Sequence, residues 1–344
     1  MTRYIQLHLL ISYPPANLNR DDLGRPKTAR MGGAERLRVS SQSLKRAWRI
    51  SEVFQQQLAG TIGTRTKRLG RDVFDALLAA GVSDKNAKDW ASKVAGVYGA
   101  VKKDNPLEIE QLVHVAPEER ATLDALVATL AAEKREPSKA ELDALLHTQH
   151  AVDIAMFGRM LAAKTEFNGE AAVQVAHALG VHASVIEDDY FTAVDDLNQD
   201  DAGAAHIGES GFAAAVFYQY VCIDRDQLER NLGGDKALTA KALKALVEAA
   251  LTVGPSGKQN SFASRAYAHY ALAEKGSRQP RSLSLAFLKP VSGNDYGRSA
   301  VAELETVRTN MDKVYGACAD ASYDVDVFAG KGSVAELIDF VAAE

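Results

Sequence analysis

The 344-residue chain has little that staples or interrupts a fold: 2 cysteines, 9 prolines and 25 glycines. Cys222 and Cys318 lie far apart and form neither a disulfide framework nor a C-x-x-C metal half-site, so both are expected as buried thiols. A long apolar run is also missing. The charge-free stretch from Tyr4 to Asn19 holds about ten mostly apolar residues before Pro14-Pro15, half of the roughly 20 that a membrane helix needs. No small-residue cleavage pattern follows it, so neither a secretory signal nor a membrane span is expected, and the chain is read as cytoplasmic. What remains is ordinary globular composition, 47% hydrophobic and 25% charged, at a length that predicts two domains or one with large insertions.

The net charge of −5 conceals an asymmetry. From Arg20 to Arg71, 13 Lys or Arg face 4 Asp or Glu, a local +9 that leaves −14 for the rest. A basic stripe on an acidic body is the footprint of a phosphate-binding surface, and the acidic remainder opposes indiscriminate adsorption.

Residues 4–13 alternate about an apolar centre and predict a buried first strand that ends at the two prolines. Residues 17–39, rich in Arg with Gly32-Gly33 at the centre, read as an ordered loop or irregular hairpin, and Ser41 is placed to cap a helix over 44–58. Residues 61–150 have another texture. Amphipathic patterns at 71–80, 83–98, 117–134 and 138–147, with Ser83 and Ser138 as N-caps and Pro117 in a first turn, predict a mostly helical insertion. Strands are expected at 151–158 and 172–179, the second with Val173, Val175, His177 and Leu179 on one face. Between residues 183 and 201 stand seven acids and no Lys or Arg, so 183–209 reads as a protruding loop or hairpin. The pattern then predicts a strand at 212–220, helices at 225–231 and 235–252, a Gly-Pro-Ser-Gly-Lys-Gln loop at 254–259 and a strand at 264–272. A helix at 298–315, a strand at 323–328 and a Ser333/Glu336 capping box complete a strand and helix alternation without internal repeats.

On a helical wheel Gln42, Lys45, Arg46 and Arg49 share one face, while Leu44, Ala47, Trp48, Ser51, Phe54 and Leu58 take the other. One side packs; the other binds, or is an ordinary solvated surface. Ser40 and Ser41 add hydroxyls and helix N-terminal N–H groups suited to a phosphate oxygen. Together with Arg20, Arg25, Lys27, Arg30, Arg36 and Arg38 in the preceding loop, they favour RNA binding.

The motifs HLLISYPPANLNRDD, GGAERLRVSSQSLKRAWR, VDIAMFGRM, FTAVDDL and LSLAFLKPV, in this order over residues 4–292, closely resemble those of the CasC family, the backbone subunit of type I-E CRISPR Cascade. The resemblance implies an α/β (α+β) fold: a modified ferredoxin-like (RRM-like) palm at 1–60 and 210–344, helical fingers at 61–150, edge strands at 151–182 and a β-hairpin thumb at 183–209. It also implies several copies stacked in a filament along the guide RNA (crRNA), contacts with other Cascade subunits, and target DNA met through the guide. Arg20, Lys27, Ser40, Gln42, Lys45, Arg46 and Arg49 match the motif that faces the RNA backbone. Phe191 and Thr192 match the thumb segment that wedges between nucleotides, with burial of Phe191 at the hairpin base as the alternative. Arg159 and Met160 match the loop near the displaced base, with Phe167 beyond them, and Lys258 and Gln259 resemble a second RNA-facing loop.

Other chemistry finds less support. Lys258 is no P-loop lysine, because Gly254 stands too close to Gly257 and Gln259 replaces Ser or Thr. His147, His150 and Asp153 make H-x-x-H-x-x-D, but helix pitch brings only the histidines to one face, so no metal is expected. His8 has no second acid or base at a recognisable spacing and reads as a structural histidine. The acids Glu187, Asp188, Asp189, Asp195, Asp196, Asp200 and Asp201 read as a solvated hairpin. A non-enzymatic RNA scaffold without cofactor is the expectation. Its alternatives are a ferredoxin-like RNA-processing endoribonuclease using His8 or His177, and a stand-alone single-strand-binding protein.

Overall fold

The computed structural model describes residues 3–147, 150–161, 164–194, 196–197 and 206–344; Asp195, Asp200 and Asp201 lie outside them. The chain begins β1 (Tyr4–Ala16), β2 (Thr28–Met31), β3 (Ala34–Val39), α1 (Ser41–Arg49) and α2 (Glu52–Gln57). Then follow β4 (Thr64–Thr66), α3 (Leu69–Ala79), α4 (Asp84–Tyr98), β5 (Val113–Val115), α5 (Pro117–Glu133), α6 (Lys139–Asp143) and α7 (Val152–Phe157). Next come β6 (Val173–Val175), β7 (Ala178–Gly180), β8 (Glu187–Ala193), β9 (His206–Asp224), α8 (Arg225–Asn231), α9 (Lys236–Thr252) and α10 (Gln259–Phe262). The chain closes with β10 (Ala268–Gly276), α11 (Tyr296–Tyr315), β11 (Ala321–Asp326) and α12 (Val334–Ala342). Two compact units result, one of residues 1–54, 174–225 and 243–344, the other of 55–173 and 226–242.

The first unit is built on an antiparallel sheet in the order β11-β10-β1-β9-β7-β3-β2. Within it β10-β1-β9-β7, with α1 between β1 and β7 and α9 between β9 and β10, is the β-α-β-β-α-β wiring of a ferredoxin-like sheet. Central β1 buries both faces, with Ile5, Leu7, Leu9 and Leu10 all inaccessible to solvent or nearly so. It runs past the expected stop at Pro14-Pro15, because a register shift between Tyr13 and Ala16 carries the two residues that have no N–H to pair. The expected hairpin forms as β2 and β3 about Gly32-Gly33. In place of one helix over 44–58 there are two: Ser51 donates from Oγ to Trp48 O at 2.7 Å and accepts from Phe54 N at 3.2 Å, ending one helix and starting the next. Ser40, not Ser41, caps α1, accepting from Ser43 N. The acidic segment forms the expected hairpin, with β8 paired to the start of β9 from Glu187↔Phe212 to Ala193↔His206. The strand expected at 264–272 lies four residues later, as β10.

The second unit is the helical insertion, larger than the expected 61–150. Leu69, Val73, Leu77, Trp90, Val94, Leu123 and Leu130 form its core, and Ser83 and Ser138 cap α4 and α6 as expected. It also holds an unforeseen two-stranded ladder, β4 against β5. Residues 151–158 are a helix, not the expected strand. Val152 to Met156 are all buried, and a helix covered on every side shows no amphipathic period to read. The strand expected at 172–179 splits into β6 and β7, and the break shifts the alternation: Val173 and Ala178 are buried while His177 is exposed. Cys222 and Cys318 are buried free thiols. Among the described residues no helix is long and apolar enough to cross a membrane.

Candidate nucleic-acid interface

The first unit contains a cleft of about 520 Å³ with three walls: Leu18 to Asp22 and Gly24 from the β1–β2 loop, Ser43, Arg46 and Ala47 of α1, and Pro255, Ser256 and Gly257. The NLNRDD motif builds the first wall. Buried Asn17 donates from Nδ2 to Gly24 O and Gly211 O, both at 2.9 Å. Asn19 Oδ1 accepts from Ser40 N at 2.9 Å, and its carbonyl accepts from Lys27 N at 2.8 Å, tying the loop to the start of α1. Asp21 Oδ1 accepts from Leu23 N and Arg25 N, both at 2.9 Å, and fixes the turn between them. Gly257 brings the third wall in: a Cβ there would strike the Leu18 carbonyl oxygen, so only glycine allows the two backbones to approach so closely. Gly254 stands likewise against the Tyr13 hydroxyl, a phenol whose burial pushes its pKa up to about 12.

Of the residues singled out from the sequence, Arg20 and Arg46 line this cleft, and both are exposed. Gln42 is exposed on α1, whereas Lys45 and Arg49 are half-buried on it and Lys27 is half-buried before β2. Ser40 and Ser41 are buried; the Ser40 hydroxyl is taken by Ser43 N at 3.3 Å, and Ser43 is the α1 serine that reaches the cleft. Lys258, with φ of 46°, donates from Nζ to the Ser210 hydroxyl, and Gln259 opens α10 just beyond the third wall. Arg25 pairs with Asp188 of β8 at 3.1 Å. Arg36 departs from the expected basic loop: it is wholly buried and donates to Gly180 O at 3.1 Å and Phe287 O at 3.0 Å. Arg38 lies 3.2 Å from His177 Nδ1; partial burial first, then the charges of Arg38 and Lys27, hold that imidazole below its usual range.

The remaining expectations fall elsewhere. Arg159, in the second unit, is a buried structural cation: Nη1 meets the Glu119 carboxylate at 2.7 and 2.9 Å and His114 O at 3.2 Å, while Nη2 meets Phe167 O at 3.0 Å. Phe167 packs against the core of that unit. Met160, 79% exposed, borders an apolar recess with Tyr98, Leu112, Val113 and Leu161. Phe191 and Thr192 stand on β8 opposite Gly208 and Ile207. The Phe191 ring lies on Gly208 and is 43% exposed, so it is no buried anchor of the hairpin. Asp153 of the H-x-x-H-x-x-D pattern is turned to His114 Nε2 at 2.7 Å and Gly63 N at 2.9 Å, away from a shared site.

His8 does have an acid partner, one that linear spacing hides. It is fully buried, with Nδ1 at 2.8 Å from the Tyr218 hydroxyl and Nε2 at 3.3 Å from Glu274, 266 positions along the chain. Glu274 also meets Arg281, and Arg308 at 2.9 Å. Burial lowers the His8 pKa. Burial pushes the Glu274 carboxyl up, but hydrogen bonds from His8 and Arg281 more than reverse it and hold the carboxyl below the usual range.

Among solved structures, the chain is similar to a chain of a "CRISPR RNA-guided surveillance complex, pre-nicking", with a TM-score of 0.84 and 30% identity over 99% of each chain. It is also similar to one of a "CRISPR RNA-guided surveillance complex", with a TM-score of 0.62 and 26% identity over 99% of this chain and 98% of that one. No curated protein matches it. The family described as CT1975-like protein matches residues 5–333, nearly the whole length, and the chain therefore belongs to the CT1975-like family.

Proposed function

We propose that the chain is a guide-RNA-binding backbone subunit of a Cascade-like CRISPR effector complex in the cytoplasm, and of type I-E on the strength of its motifs. Several copies assemble along the guide, beside other subunits, and present its bases for pairing with target DNA. The carrying observation is the three-walled cleft, where Arg20 and Arg46 converge with the Ser43 and Ser256 hydroxyls. Cations and hydroxyls suit phosphate oxygens and read no sequence, which is what a scaffold for variable guides requires. In this reading the acidic hairpin is the thumb: Phe191, with Thr192 beside it, wedges between bases and unstacks them at a cost of a few kcal/mol. Met160 and its apolar recess face the displaced base, and cleavage belongs to another subunit.

Replacing both Arg20 and Arg46 with Glu tests the cleft. Binding of guide-length RNA should weaken for every sequence, and the slope of log affinity against log salt should fall by roughly one unit for each phosphate no longer neutralised. Unchanged affinity and slope in a folded variant overturn the site. The exposed His177 beside Arg38 keeps an endoribonuclease as the second reading. Labelled RNA should survive incubation with the protein, with and without divalent metal; cleavage that His177→Ala abolishes would favour the enzyme.

A further inference from the structure

The cleft contains groups that phosphate cannot use. Beside Arg20, Arg46, Ser43 and Ser256 its lining includes two acids, Asp21 and Asp22. An ionised carboxylate only accepts hydrogen bonds, and next to a phosphate it repels. Asp21 is accounted for by the fold, since its Oδ1 holds the turn through Leu23 N and Arg25 N. Asp22 is not. It is exposed on the cleft wall, and among the described residues nothing hydrogen-bonds or ion-pairs with its carboxylate.

The sugar-phosphate backbone of RNA carries a single kind of hydrogen-bond donor, the ribose 2′-hydroxyl, and that of DNA carries none. An acceptor-only group among cations therefore fits one backbone and penalises the other. We propose that Asp22 accepts a hydrogen bond from a 2′-hydroxyl of the strand held in the cleft, and so makes the site select RNA over single-stranded DNA of the same sequence. Arg20 and Arg46 attract both strands through their phosphates, and Asp22 discriminates. The inference rests on the RNA-binding reading and deepens it: the preference is set by the cleft itself, without any base being read.

The test compares one sequence as RNA, as 2′-fluoro RNA, which lacks the donor, and as DNA, against the wild-type protein and Asp22→Ala at one salt concentration. The wild type should bind RNA about tenfold more tightly than 2′-fluoro RNA, the size expected of a hydrogen bond to a charged group. Asp22→Ala should bind all three strands with affinities that converge, DNA gaining from the removed repulsion. A 2′-fluoro penalty that persists unchanged in a folded Asp22→Ala overturns the proposal while leaving RNA binding in place. Failure of the functional reading looks different: the Arg20 and Arg46 reversals then leave RNA affinity untouched.

Discussion

Arginines that look alike in the sequence do three different jobs. Arg46 is exposed on the cleft, Arg36 holds backbone carbonyls from inside the first unit, and Arg159 neutralises Glu119 inside the second. Charge and spacing placed Arg36 and Arg46 near RNA and the family resemblance placed Arg159 there, because charge and motif are visible along the chain and burial of a charge is not. Removing a buried ion's partner strands the other charge, whereas a surface substitution usually stays within about 0.5 kcal/mol. Arg159→Met should therefore destabilise the fold by about 3–5 kcal/mol in urea unfolding, and Arg46→Glu should leave the unfolding midpoint almost unchanged while weakening RNA binding. Equal midpoints for the two variants would contradict the division of roles.

Loops and strands at the element scale owe their positions to close contacts. Gly257 lets the third wall meet Leu18, and Ala there should push the loop off the first wall. Gly257→Ala is expected to cost about 1–3 kcal/mol, as overpacking usually does, and to lower RNA affinity with little change in circular dichroism. Undiminished binding would show that the third wall is dispensable. In the hairpin, the Phe191 ring covers Gly208 across the β8–β9 ladder. Phe191→Ala should leave RNA bound to the basic cleft yet blur a periodic pattern of chemical reactivity along the assembled guide; a flat pattern in the wild type would sink the wedge. The hairpin's existence was legible from its acids, and the helical insertion from its caps. The helix at 152–157 was not, since full burial erased the periodicity on which such a reading depends.

For the whole molecule, the buried His8–Glu274 pair couples stability to pH. The His8 pKa is lowered in the folded chain, so acid favours the unfolded state, where the imidazole protonates near its ordinary value of about 6.5. Stability is then full above about pH 6.5 and falls as the pH drops through that value. Glu274, also lowered, adds a second decline that starts near the ordinary carboxylate value of about 4.3. A thermal-unfolding series from about pH 8 to pH 2 should show both declines, and His8→Gln should shrink the upper one, to which His177, also held below its usual range, contributes a smaller share. A Tm that is flat between about pH 7 and pH 5 in the wild type would contradict the buried neutral histidine.

The sequence by itself determined what is local: the apolar first strand, the caps and amphipathic faces of the insertion, the acidic hairpin, the basic segment of +9 and the α1 face that carries Arg46. These follow from period, charge and capping chemistry within a few turns of chain. Tertiary structure alone decided which cations stay at the surface, which three segments meet around the cleft, and that His8 has an acid beside it. Those outcomes depend on contacts such as Arg36 with Phe287, 251 residues apart, and Gly257 with Leu18. Burial and pairing are properties of neighbours in space, and sheet order, which no stretch of sequence carries alone, chooses the neighbours.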